Sequence, residues 1–92
     1  MILLGRFKVV GHSMEPTLKP NQYILASYFP YLFSNPNKDE MVVFKDKDNF
    51  IIKRIRKVNR KKYYVRGDNR LDSKEFGWIK REQILAKVIF IL

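Results

Sequence analysis

Asn49-Phe50-Ile51-Ile52-Lys53-Arg54-Ile55 is the stretch on which the reading of the fold turns. Side chains of a β-strand alternate between its two faces, so this segment puts Ile51, Lys53 and Ile55 together on one of them. Its β-branched residues suit an extended backbone, and neither glycine nor proline interrupts it.

Working outward, similar short apolar runs predict strands over residues 6–11, 22–28, 40–45, 49–57, 62–66 and 87–91. Turn signals separate them: Lys19-Pro20-Asn21, Asn35-Pro36-Asn37, Asp46-Lys47-Asp48, Asn59-Arg60 and Gly67-Asp68-Asn69. Residues 80–85 predict a short helical turn. The expected fold is all-β and mostly antiparallel, a small barrel or sandwich. No internal repeat or linker divides the sequence, so residues 1–92 are expected to form one small domain.

Composition narrows the chemistry. The 92 residues are 46% hydrophobic, enough for a core, and carry a formal charge of +10. That balance suits a polyanionic neighbour: nucleic acid, an anionic lipid surface or an acidic partner. There is no cysteine, which excludes disulfides and thiolate metal sites. His12 is the only histidine, so no histidine cluster is available to hold a metal. No run approaches the roughly 20 apolar residues needed to span a bilayer, and the expected location is peripheral to a membrane or soluble. Tyr28-Phe29-Pro30-Tyr31-Leu32-Phe33 gathers four aromatic rings around a proline. It is either a loop folded over the core or an exposed apolar patch for a lipid surface or an extended peptide.

Gly11-His12-Ser13-Met14-Glu15-Pro16-Thr17-Leu18 follows the first predicted strand. A nucleophilic serine needs an accessible hydroxyl on a rigid turn, with backbone N–H groups converging to hold an oxyanion. Gly11 permits a tight bend and Pro16 stiffens the exit. By composition alone this is equally a loop serine. Lys53, flanked by isoleucines, has a pKa expected to fall from about 10.4 toward neutrality, because apolar surroundings disfavour its charged form. A neutral amine can take a proton from a serine hydroxyl. The residues alone also allow a lysine whose stem lies on the sheet while its ammonium reaches water.

Ser13-Met14-Glu15-Pro16-Thr17-Leu18 resembles the serine box, Ser-Met-x-Pro-Thr-Leu, of type I signal peptidases, which are serine–lysine endopeptidases. Met41-Val42-Val43-Phe44 followed by Ile52-Lys53-Arg54-Ile55 is similar to the family's second box, and Arg66-Gly67-Asp68-Asn69 with Asp72-Ser73 and Gly77 to its third. The resemblance implies Ser13 as nucleophile and Lys53 as general base, with an oxyanion held at Ser13 beside Gly11. It further implies supporting roles for Met14, Pro16, Arg54, Asp68, Asn69, Asp72 and Ser73. It calls for no cofactor or metal. The chain is shorter than the family between Asn69 and Asp72, leaving Ser73 or the Ser13 hydroxyl itself to orient Lys53.

The implied substrate is an extended peptide with small residues before the cut, as in signal-peptide processing; an anionic membrane surface or an anchoring partner would accompany it. In size the chain is also similar to small relatives that mature nickel-type superoxide dismutase. A basic nucleic-acid-binding module built on residues 53–62, with Tyr63 and Tyr64 for stacking, is the alternative from another class. A self-cleaving regulator fits less well, since only twelve residues precede Ser13.

Overall fold

Apolar alternation at a period of two leaves the backbone to find its hydrogen-bond partners in neighbouring strands. The computed structural model, which describes residues 3–71 and 76–92, contains seven of them. They are β1 Leu4–Lys8, β2 Tyr23–Ser27, β3 Met41–Asp46, β4 Asn49–Asn59, β5 Lys62–Arg66, β6 Gly77–Lys80 and β7 Ile84–Ile91. All pair antiparallel in one sheet of order β1-β2-β7-β3-β4-β5-β6. The fold is thus all-β, with one short helix, α1 Pro30–Phe33, and a 3-10 turn at Arg81–Gln83. No helix among the described residues is long and apolar enough to cross a membrane.

The central strands are buried on both faces. On β3, Val43 packs into a cluster with Met14, Leu18, Ile24, Ala86 and Val88. Its neighbours Val42 and Phe44 point the other way, into a second cluster with Ile55, Tyr63, Val65 and Ile84. The sheet coils strongly enough that Phe7 of β1 and Phe50 of β4, with three strands between them in the sheet, bring their ring centroids to 5.7 Å.

Several boundaries differ from those expected. β1 starts at Leu4 and ends at Lys8; Val9 still bonds through its backbone to Asn21 and Gln22, and Val10 lies beyond the strand. β6 was not anticipated: it is four residues long and begins on a glycine, too short to display alternation. The helical turn occupies only Arg81–Gln83, and β7 already begins at Ile84.

The aromatic segment is helical because Pro30 sits in the first turn, where its fixed φ and missing N–H cost nothing. Tyr31 is buried in the second cluster, while Phe29, Leu32 and Phe33 remain exposed. The segment thus folds Tyr31 over the core and leaves Phe29, Leu32 and Phe33 on the surface. The Glu40 carboxylate pins it to the sheet, accepting hydrogen bonds from Tyr31 Oη at 2.7 Å and the Asn37 N–H at 2.9 Å. Lys87 Nζ lies 3.1 Å from its other oxygen. Burial pushes the Glu40 carboxyl up, but these donors outweigh it and hold it below the ordinary carboxylate value. Glu40→Gln should lower stability by about 1–3 kcal/mol, since a charge-assisted acceptor is lost from a largely buried network. Urea unfolding at neutral pH measures it.

Candidate active site

The loop between β1 and β2 places Ser13. Gly11 takes φ +79°, a left-handed conformation that side-chain-bearing residues resist, and this turns the chain out of β1. Met14 and Leu18, both buried in the first cluster, then fasten the loop to the sheet. The turn between them is closed by the Leu18 N–H donating to the Met14 carbonyl at 2.9 Å. His12 stays exposed and pairs with Glu15 at 2.8 Å, so its ring is engaged away from the serine hydroxyl. Pro16, at the loop's exposed tip, follows a cis peptide bond.

Lys53 lies at the middle of β4, opposite Val42 on β3, on the face whose isoleucines enter the second cluster. It is 9% exposed, one of two polar side chains buried among the described residues. Its Nζ is in hydrogen-bond contact with Ser13 Oγ across forty residues of sequence.

The turn after β5 holds this pairing. The Asn69 N–H donates to the Ser13 carbonyl at 2.8 Å and Asn69 Nδ2 to the His12 carbonyl at 2.9 Å. Asp68 accepts from Arg54 Nε and Nη2, both at 2.8 Å, and from Thr17 Oγ1 at 2.7 Å. Burial pushes the Asp68 carboxyl up. The bonds from Arg54 and Thr17, with the charges of Arg54 and Arg56, outweigh that and hold it below the ordinary carboxylate value. The same bond raises the Arg54 guanidinium. Gly67 packs so closely that a Cβ there would lie 2.3 Å from the Ser13 carbonyl oxygen.

The structure thus brings Ser13, Lys53, Met14, Arg54, Asp68 and Asn69 into one assembly, with Gly11 at its entrance and Pro16 on its rim. Asp72 and Ser73 lie outside the described residues. Thr17 and Gly67 were missed as site residues. Thr17 stood inside the serine box, but its partner is 51 residues away. Gly67 read only as a turn glycine, because its closer requirement comes from a distant backbone.

Beside Ser13 and Lys53 lies a cleft of about 380 Å³, walled by Val9, Val10, Met14, Ile51 and Ile52. β5 pairs with β4 only from Arg54 onward, so the 49–53 segment of β4 is bordered on that side by the cleft. A buried amine against a loop serine at the end of an apolar cleft defines a site suited to acyl transfer from a peptide. The sequence profile of the family described as signal peptidase, peptidase S26, matches residues 1–56, and the chain belongs to that family. It is a signal-peptidase-like serine protease in the general sense. Among the curated proteins, none matches the chain.

Two substitutions test the clamp. Gly67→Ala should lower peptidase activity about 100-fold while costing about 1–3 kcal/mol of stability, because relieving the overlap displaces the Ser13 backbone. Steady-state kinetics beside urea unfolding separates the two effects. Asp68→Asn should destabilise at neutral pH. The Asp68 pKa is lower in the folded chain, so its contribution is whole above the ordinary carboxylate range and is lost as pH falls through the folded value. The wild-type and variant unfolding midpoints should therefore converge as the pH falls below the ordinary carboxylate range, as followed by circular dichroism.

Proposed function

We propose that this protein is a serine endopeptidase that removes leader or signal peptides, with Ser13 as nucleophile and neutral Lys53 as general base. The observation that carries this reading is the contact between Lys53 Nζ and Ser13 Oγ, made by an amine largely excluded from water. Exclusion from water disfavours the ammonium form, and a neutral amine beside a hydroxyl is positioned to accept its proton.

A peptide laid extended along the open part of β4 adds its main-chain hydrogen bonds to the sheet and sets small side chains into the apolar cleft. Ser13 Oγ attacks the scissile carbonyl carbon while its proton passes to Lys53 Nζ. The oxyanion of the tetrahedral intermediate is held by the Ser13 N–H at the turn that Gly11 opens. Lys53 returns the proton to the departing amine, the C–N bond breaks, and an acyl-enzyme remains on Ser13. Water then gives its proton to Lys53, attacks the ester carbonyl and frees the carboxylate product, and Ser13 Oγ regains its proton. The exposed side chains of Phe29, Leu32 and Phe33 supply an apolar surface for a peripheral membrane setting.

Ser13→Ala should abolish cleavage of a peptide with small residues before the cut. Lys53→Arg should abolish it as well, because arginine stays protonated. In the wild type kcat/KM should rise with pH and level off well below the pKa of free lysine, about 10.4. A profile still climbing above that pH, or turnover by Lys53→Arg, would remove Lys53 from the mechanism. Mass spectrometry of products and pH-dependent kinetics read these outcomes.

A further inference from the structure

A second cavity, of about 580 Å³, lies past the catalytic pair along β4. Its walls carry Arg54, Arg56, Arg66 and Arg70, with Asp68 the one carboxylate among its described lining residues. The excess of positive charge is built into the sheet. Arg54 and Arg66 stand directly opposite each other on β4 and β5, an arrangement that like charges disfavour. Asp68 is already occupied by Arg54 and Thr17. Asp39 reaches Arg56 at only 3.7 Å, with both side chains largely in water, where such pairs contribute little. Arg56 and Arg70 therefore bring guanidinium donors to this cavity that the described carboxylates do not take up strongly.

The cavity is coupled to the nucleophile. Pro16 and Thr17 of the serine loop line it, and so does Gly67, whose backbone touches that of Ser13. β4 runs from the apolar cleft at residues 49–53 directly to Arg54 and Arg56, rising about 3.3 Å per residue. A chain whose carbonyl lies at Ser13 thus has an apolar cleft on one side and an arginine-walled cavity on the other. Guanidinium groups bind carboxylates through paired hydrogen bonds, and they do so best where water is partly excluded.

We propose that this cavity receives an acidic side chain of the peptide substrate, on the side of the scissile bond away from the apolar cleft. The assignment rests on the serine–lysine reading and adds to it a determinant of sequence choice. Arg56 and Arg70, the more exposed of the four, act as specificity residues; Arg54 positions the serine loop through Asp68.

Peptides differing only by Glu or Gln at successive positions around the cut test this. Wild type should cleave the Glu peptide about tenfold faster in kcat/KM at a position on one side of the bond. In the double variant Arg56→Gln, Arg70→Gln that ratio should fall to about one. Lys61→Gln with Lys62→Gln removes the same charge elsewhere and should leave the ratio intact. Ratios near one at every position in wild type, or a preference that survives the arginine substitutions, overturn the proposal. A Gln peptide cut by wild type and not by Ser13→Ala shows that the serine–lysine reading stands whatever the ratio.

The same peptides titrated against Ser13→Ala by fluorescence anisotropy give a readout free of turnover. Tighter binding of the Glu peptide, lost with the arginines, supports the assignment even if no peptide is cut. Equal binding, or none, overturns it. Phosphatidylglycerol vesicles bound through Arg56 and Arg70, with no difference between Glu and Gln peptides, would give the cavity to lipid headgroups instead.

Discussion

The paired hydrogen bonds between Arg54 and Asp68 hold the site together. Arg54 follows Lys53 in β4, and Asp68 precedes Asn69, which grips the carbonyls of His12 and Ser13. One ion pair therefore sets where the serine loop lies relative to the strand that carries the amine. Its geometry is restrictive, because a planar guanidinium meets a carboxylate along two parallel bonds and resists rotation. Thr17 adds a third bond to the same carboxylate, so the serine loop is held at Thr17 by Asp68 and at His12 and Ser13 by the adjacent Asn69. Lysine in place of Arg54 would keep the charge and lose that fixed angle.

Burying an amine in so short a chain sets an energetic conflict. A domain of this size is stable by on the order of 5–15 kcal/mol, and an ammonium withdrawn from water costs several kcal/mol. On the proposed mechanism a neutral Lys53 with a hydroxyl within reach resolves the conflict. Core packing meets the remaining demand: β3 and β7 lend apolar side chains to both clusters, so two central strands contribute twice. The surface, with its large excess of positive charge, adds no comparable stability.

Much of this was legible in the residues. The alternation of Ile51, Lys53 and Ile55 placed the lysine on an apolar face, and Gly11 marked the turn into Ser13. Turn signals at Asn21, Lys47 and Arg60 fall where the backbone takes positive φ. What escaped was nonlocal. Arg54 and Asp68 are fourteen residues apart and Thr17 and Asp68 fifty-one, and no local pattern announces such meetings. Gly67 looked like an ordinary turn glycine, yet its missing side chain makes room for Ser13. β6 was too short to alternate, and Arg81-Glu82-Gln83 masked the start of β7 with residues that suit a helical turn.

The strand order has a consequence for when the site can exist. Among the described residues, β1 and β2 join the rest of the sheet only through β7. Ser13 belongs to the first of these parts and Lys53 to the second, yet the strand that bridges them comes last in the chain order. During synthesis the ribosome releases serine and lysine long before it releases Ile84–Ile91. The nascent chain therefore carries Ser13 and Lys53 before a complete sheet exists to hold them, and the contact between the two side chains waits for β7.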